Sequence, residues 1–192
     1  FQMAIDWFPG IFVFWICAYV TVCISKAARI IVKSIYIHLI AGEVSISDLL
    51  DTWTVVTGGT DGIGRAYTLE LARARGLRKF FLIGRNINKL EAIKLELVHH
   101  YSAEVKLAVF DFEYDDLEKL PADLMDMDIG ILVNCVGIAP DAVGTMEELP
   151  VGLPSRILRI NLISTIKMLE IVLPGTVKRD RGIVVNVASA LG

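Results

Sequence analysis

A chain of 192 residues has room for one domain, or for one domain and an appendage. Hydrophobic residues make up 54% and mean hydropathy is +0.57, an excess that points to a local source, while a net charge of -3 leaves no basic field for nucleic acid. Three scattered cysteines (Cys17, Cys23 and Cys135) argue against a disulfide framework or a metal cluster, and as small apolar side chains they fit a reducing compartment.

The apolar excess sits at the front. Trp7 to Ser25, "WFPGIFVFWICAYVTVCIS", is nineteen residues without a charge, bounded by Asp6 and Lys26. As a helix it would measure roughly 28 Å, close to the hydrocarbon thickness of a bilayer. Pro9 and Gly10 weaken its first turn. A secretory signal wants positive charge before the apolar run, whereas here Asp6 comes before and Lys26, Arg29 and Lys33 come after. The expectation is a membrane anchor whose basic flank keeps the following chain in the cytosol. Residues 27–41, "AARIIVKSIYIHLIA", continue it as an amphipathic segment, lying along the membrane surface or forming a second, shorter hydrophobic element. Residues 1–47 are thus read as anchor and connector, and residues 48–192 as a separate domain.

Beyond residue 48, short aliphatic runs alternate with helical patterns. Trp53–Val56 is followed by a helix from Ile63 to Ala74, Lys79–Ile83 by a helix over Asn88–His100, and Val105–Phe110 by a shorter helix near Asp115–Leu124. Ile129–Asn134 comes next, then the irregular loop Ile138–Pro150, a long helix over Pro154–Lys178, and the run Ile183–Val187. Five apolar strands joined through helices predict an α/β fold with right-handed crossovers and a parallel sheet covered on both faces.

Between the first strand and its helix stands "TGGTDGIGR". Gly58, Gly62 and Gly64 have the spacing G-x-x-x-G-x-G, with Thr60, Asp61 and Ile63 between and beside them. A strand, a glycine turn and a helix N-terminus together form an anion site, because the first N–H groups of a helix are unpaired and carry the positive end of its dipole. Gly58 permits the tight turn, Gly62 lets phosphates approach the backbone, and Gly64 lets helix and strand pack closely. Arg65-Ala66 excludes the Gly-Lys-Ser/Thr ending of a nucleoside-triphosphate loop. A turn that merely joins strand to helix, or one that holds another phosphate, remains open from spacing alone.

"TGGTDGIGRA" resembles the Thr-Gly-x-x-x-Gly-Ile-Gly signature of the short-chain dehydrogenases/reductases, and three further motifs follow in that family's order: "ILVNCVG" (131–137), "RINLIS" (159–164) and "IVVNVASALG" (183–192). Within the family, the hydrophobic front, "GRNINKLE" and "VLPGTVKRDRG" resemble the membrane-bound hydroxysteroid dehydrogenase and very-long-chain 3-oxoacyl-CoA reductase branch, which implies the endoplasmic reticulum membrane. The resemblance implies a Rossmann-like doubly wound parallel sheet, cut after its fifth strand. The cofactor expected is NADP(H). The second strand ends Gly84-Arg85-Asn86, with no acid to hold a ribose 2′-hydroxyl, and Arg85, helped by Lys89, offers a cation to a 2′-phosphate. Asp111 matches the family's contact to the adenine amino group, with a simple turn cap as the alternative, and Asn134 lies beneath the cofactor.

The implied reaction is hydride transfer to the ketone of a lipid-like substrate, a 3-oxoacyl-CoA or a steroid. By position Ser189 bonds the carbonyl oxygen and Asn161 holds a water of the proton relay. The family's Tyr-x-x-x-Lys pair is absent: none of Tyr19, Tyr36, Tyr67, Tyr101 and Tyr114 has Lys four residues later. The chain is therefore expected to be an inactive fragment whose fifth strand is an uncovered apolar edge. Cys135 replaces the family's second Asn and lacks an amide's hydrogen bonds, which favours the alternative of a catalytically silent dinucleotide binder acting through partners. The resemblance also implies a homodimer through the long helix near 154–178.

Overall fold

The computed structural model describes residues 2–40, 45–140 and 144–188. The chain divides into two units, Phe1–Ser45 and Ile46–Gly192.

The first unit is one helix. α1 runs over Gln2–Ile35 and ends in a π turn, Tyr36–Ile40. Pro9 and Gly10 do not interrupt it, and the helix continues past Ser25 to Ile35. The Thr21 and Ser25 hydroxyls donate to the carbonyls of Cys17 and Thr21, one turn back, so both side chains satisfy themselves within the helix. Among the described residues, Phe12–Ile35 is long and apolar enough to cross a bilayer, judged by length and composition.

The second unit is a Rossmann-like layered α/β structure. Its strands are β1 (Trp53–Thr57), β2 (Lys79–Gly84), β3 (Glu104–Val109), β4 (Ile129–Asn134) and β5 (Ile183–Asn186). They form a parallel sheet in the order β3-β2-β1-β4-β5. Alternate side chains serve opposite faces, as a period of two requires. Val56, Phe80, Leu82, Ile131 and Val133 pack beneath α2 (Gly62–Ala74) and α3 (Ile87–Tyr101) with Ala72, Leu90, Ile93 and Leu97. Val55, Phe81, Ile83 and Leu132 join Leu124, Met168 and Val172 on the other face. All six residues of β4 are buried, whereas β5 is only half-covered; among the described residues it pairs with β4 alone.

Two predicted helices are corrected. The segment near Asp115–Leu124 is not one helix but a 3-10 turn at Leu117–Lys119 and the single turn α4, Asp123–Asp126. Asp116 caps the first through the Glu118 N–H, and Pro121, which has no N–H to donate, separates the two. The stretch 154–178 is three pieces: α5 (Leu153–Leu158), a π turn (Arg159–Ile163) and α6 (Ser164–Lys178). The third strand begins one residue earlier than expected and ends at Val109.

Candidate functional site

Chain order reverses direction across the sheet between β1 and β4, so the loops after these strands part and leave a cleft at their carboxyl ends. Ladder-like bonds continue past the strands there: the Gly58 N–H donates to the Ile83 carbonyl at 3.0 Å and the Cys135 N–H to the Thr57 carbonyl at 3.2 Å. Gly58, Thr60, Gly84, Arg85, Asp111, Val136 and Gly137 line the cleft.

Each signature glycine has a different physical reason. Gly58 has φ +69°, and a β-carbon on it would stand 2.9 Å from the Cys135 oxygen and the Val136 nitrogen, so the two loops touch backbone to backbone. A β-carbon on Gly64 would overlap the Gly58 carbonyl oxygen, which fixes how closely α2 seats on the turn. Gly62, with φ +48°, has no atom within 4 Å of where its β-carbon would be. That open space at the start of α2 is where an anion has room to reach the unpaired N–H groups.

Asp61 caps α2. Its Oδ1 accepts from the Gly62 N–H at 2.9 Å, and its Oδ2 lies 2.6 Å from Lys89 Nζ. The Lys89 ammonium, and then the Gly62 N–H, hold the Asp61 carboxyl below the usual carboxylate range. Lys89 comes from the first turn of α3, where Asn86 Oδ1 accepts its backbone N–H at 3.1 Å. Thr60 packs against the end of β2, since a β-carbon on Gly84 would lie 3.5 Å from its methyl. Ile63 is exposed on the first turn of α2. Arg85 is an exposed cation lining the cleft; the stretch Gly84–Asn86 carries no acid, and the Arg85 charge bears on Glu113, which lines the same cleft.

Asp111 serves both readings of it. Its Oδ1 accepts from the Glu113 N–H at 2.9 Å, which makes it a turn cap, and it also faces the cleft. Glu113, which sequence reasoning missed, lines the cleft as well; its side chain is 4% exposed and pairs with Arg156 at 2.5 Å. Arg156 first, and then Tyr114, lower its carboxyl from the ordinary value, while Glu113 in turn raises the Tyr114 phenol. Nothing in the spacing of "VFDFEY" marks this pair, because Arg156 is distant in sequence.

At the end of β4, Asn134 is buried and donates from Nδ2 to Asn186 Oδ1 at 2.9 Å, while its own Oδ1 has no partner among the described residues. Aligning the parallel runs "ILVN" and "IVVN" in the sequence would have found Asn186. Cys135 compensates for its missing amide through the main chain: its N–H meets both the carbonyl and the Oγ1 of Thr57 at 3.2 Å. Burial pushes its thiol pKa up. Asn161 sits in the π turn and grips the backbone of Ile138, accepting from its N–H at 2.9 Å and donating to its carbonyl at 2.8 Å. Such turns, one residue wider than an α turn, recur at functional sites. Ser189 lies outside the described residues.

These residues fit a dinucleotide: open N–H groups at a helix start, a rim arginine, an acid at the third strand end and an unpartnered buried acceptor below. Residues 52–192 match the family model for short chain dehydrogenase. The chain belongs to that family. Short-chain dehydrogenases are oxidoreductases that use a nicotinamide dinucleotide. A Caenorhabditis elegans relative, "Uncharacterized oxidoreductase dhs-27", is 54% identical over 93% of this chain and 22% of its own length. The very-long-chain 3-oxoacyl-CoA reductase of Mus musculus is 33% identical over 94% of this chain and 59% of its own. A short-chain dehydrogenase from Sphingobium yanoikuyae, solved in complex with NADPH, superposes with a TM-score of 0.66 at 26% identity, covering 73% of this chain and 54% of that one. The chain thus spans less than two thirds of the length of these relatives.

Proposed function

We propose that this chain is the cofactor-binding part of a membrane-anchored, NADPH-dependent reductase of lipid-like ketones. The observation that carries the reading is Arg85 at the rim of the cleft, next to Thr60 and with no carboxylate at the end of β2. An arginine fork there favours a 2′-phosphate over a 2′-hydroxyl. The solved NADPH complex of the bacterial relative supports it. A bound reduced nicotinamide supplies hydride. The chain's own residues hold and orient: the α2 N-terminus takes the pyrophosphate, Asp111 the adenine edge, and Asn134 and Asn161 brace the floor and the loop beside the reacting end. Ser189 is the proposed donor to the carbonyl oxygen. The 3-oxoacyl thioester is the favoured substrate because that is what the name of the murine relative states, with a ketosteroid second.

The apolar α1 supports a membrane location, with the endoplasmic reticulum and a cytosolic domain as the proposed setting. A homodimer through α5 and α6 remains part of the proposal. No Tyr-x-x-x-Lys pair occurs among the 192 residues, and we propose that this stretch alone binds cofactor without turning over substrate. Cys135 supports a second reading, a silent dinucleotide binder.

Fluorescence titration of the chain in detergent with NADPH and NADH tests the cofactor. NADPH should bind about tenfold more tightly, and Arg85→Met should remove that preference. Equal affinities in the unaltered chain would overturn the assignment. NADPH consumption by the full-length protein with 3-oxoacyl-CoA separates the reductase from the silent binder.

A further inference from the structure

The glycine turn already carries an anion of its own. The Asp61 carboxylate accepts the Gly62 N–H at the start of α2, and its other oxygen holds Lys89, 28 residues away in sequence, at 2.6 Å. Thr60 and Arg85, which line the cleft, stand one residue before Asp61 and four residues before Lys89 in the chain. Arg65, one turn into α2, does not compete for this carboxylate, because it is bonded to Glu96 at 2.5 Å on another face. The Asp61 and Lys89 side chains are 76% and 53% exposed, so water screens the pair and its opening is inexpensive. A carboxylate bound to a helix N-terminal N–H and an ammonium has the partners that a phosphate oxygen takes.

We propose that the Asp61–Lys89 pair is a self-ligated charge gate: Asp61 takes the partners of a phosphate until a dinucleotide binds, and a 2′-phosphate draws Lys89 away to act beside Arg85. Lys89 is then a second selectivity residue, and Asp61 is its competitor. The dinucleotide carries two negative groups to this end of the cleft, the pyrophosphate at α2 and the 2′-phosphate at the β2 rim. The Asp61 carboxylate opposes the 2′-phosphate by occupying the lysine. The observed affinity for a 2′-phosphorylated ligand is thereby set below what Arg85 and Lys89 would give together. This inference rests on the dinucleotide reading above and adds to it the means by which affinity and selectivity are adjusted.

The test uses the chain in detergent micelles, calorimetric binding, and two adenosine fragments, adenosine 2′,5′-bisphosphate and 5′-AMP, which differ only in the 2′-phosphate. Asp61→Asn keeps an oxygen for the helix cap and removes the charge. It should tighten the bisphosphate about fivefold and move 5′-AMP less than about twofold, the size expected of one unit charge near a protein surface. Lys89→Met should weaken the bisphosphate by about the same factor and leave 5′-AMP unchanged. In the Lys89→Met background the gain from Asp61→Asn should vanish, because no lysine remains to release. Loss of both fragments in equal measure, or a gain from Asp61→Asn that persists without Lys89, would overturn the gate while leaving dinucleotide binding intact. Failure of the unaltered chain to bind either fragment at millimolar concentration would sink the dinucleotide reading itself, and the gate with it.

Discussion

Two stretches of this chain are equally apolar and meet opposite fates. β4, "IGILVN", is buried residue by residue, with Leu132 and Val133 at 0% exposure between two helical layers. In α1, Phe12, Phe14, Trp15 and Tyr19 leave more than half of their surface open. The difference teaches that hydrophobicity only says a segment avoids water. What it packs against depends on its length and on its neighbours. A six-residue run between turn signals can be enclosed by one domain, whereas nineteen without a charge exceed what a single domain of this size needs to bury.

The comparison can be broken from either side. Leu132→Ala should cost the second unit about 2–5 kcal/mol, read from denaturant unfolding, because the sheet centre has no freedom to collapse around the void. The same unfolding curve for Phe14→Arg should be unchanged. Its effect belongs to the bilayer, where about 2.5–3.5 kcal/mol at a helix centre should move the chain out of the membrane fraction on flotation. If Phe14→Arg lowered the unfolding midpoint instead, α1 would be a piece of the soluble core. Gly64→Ala sharpens the other half. Its methyl would overlap the Gly58 carbonyl, so a loss of about 1–3 kcal/mol is expected, together with weaker NADPH binding. The smallest effect concerns acid. Arg156 holds Glu113 below its ordinary value of 4.5, so this pair's stabilisation is present above that pH and fades as pH falls through the lowered folded value. Arg156→Met should flatten that part of the stability curve below about pH 4.5, measured by thermal melts across the acid range.

Much of the fold was legible because its signals are local. β-branched runs with the right length, glycines at a strand end and helical periodicity fix the elements, and continuous apolar strands imply a sheet covered on two sides. The close approaches that require glycine at 58 and 64 were legible as well. What the sequence hid depends on contacts between distant residues. The pairing of Glu113 with Arg156, the grip of Asn161 on Ile138, and the Asp61–Lys89 contact join loops that only the sheet order brings together. The segment near Asp115–Leu124 misled because its apolar spacing suits a helix, while Pro121 in its middle interrupts the backbone bonding.

The π turn at Arg159–Ile163 has one more consequence. A π turn behaves as a helix that has taken in one surplus residue and bulged to absorb it, so α5 and α6 stay in phase on either side. Deleting a single residue within the bulge would restore an unbroken helix and leave Met168 and Val172 still directed at the sheet. A deletion farther along would instead swing those side chains by about 100° and empty the core. The architecture and the Asn161 contact can therefore be lost separately, through one missing codon at this bulge.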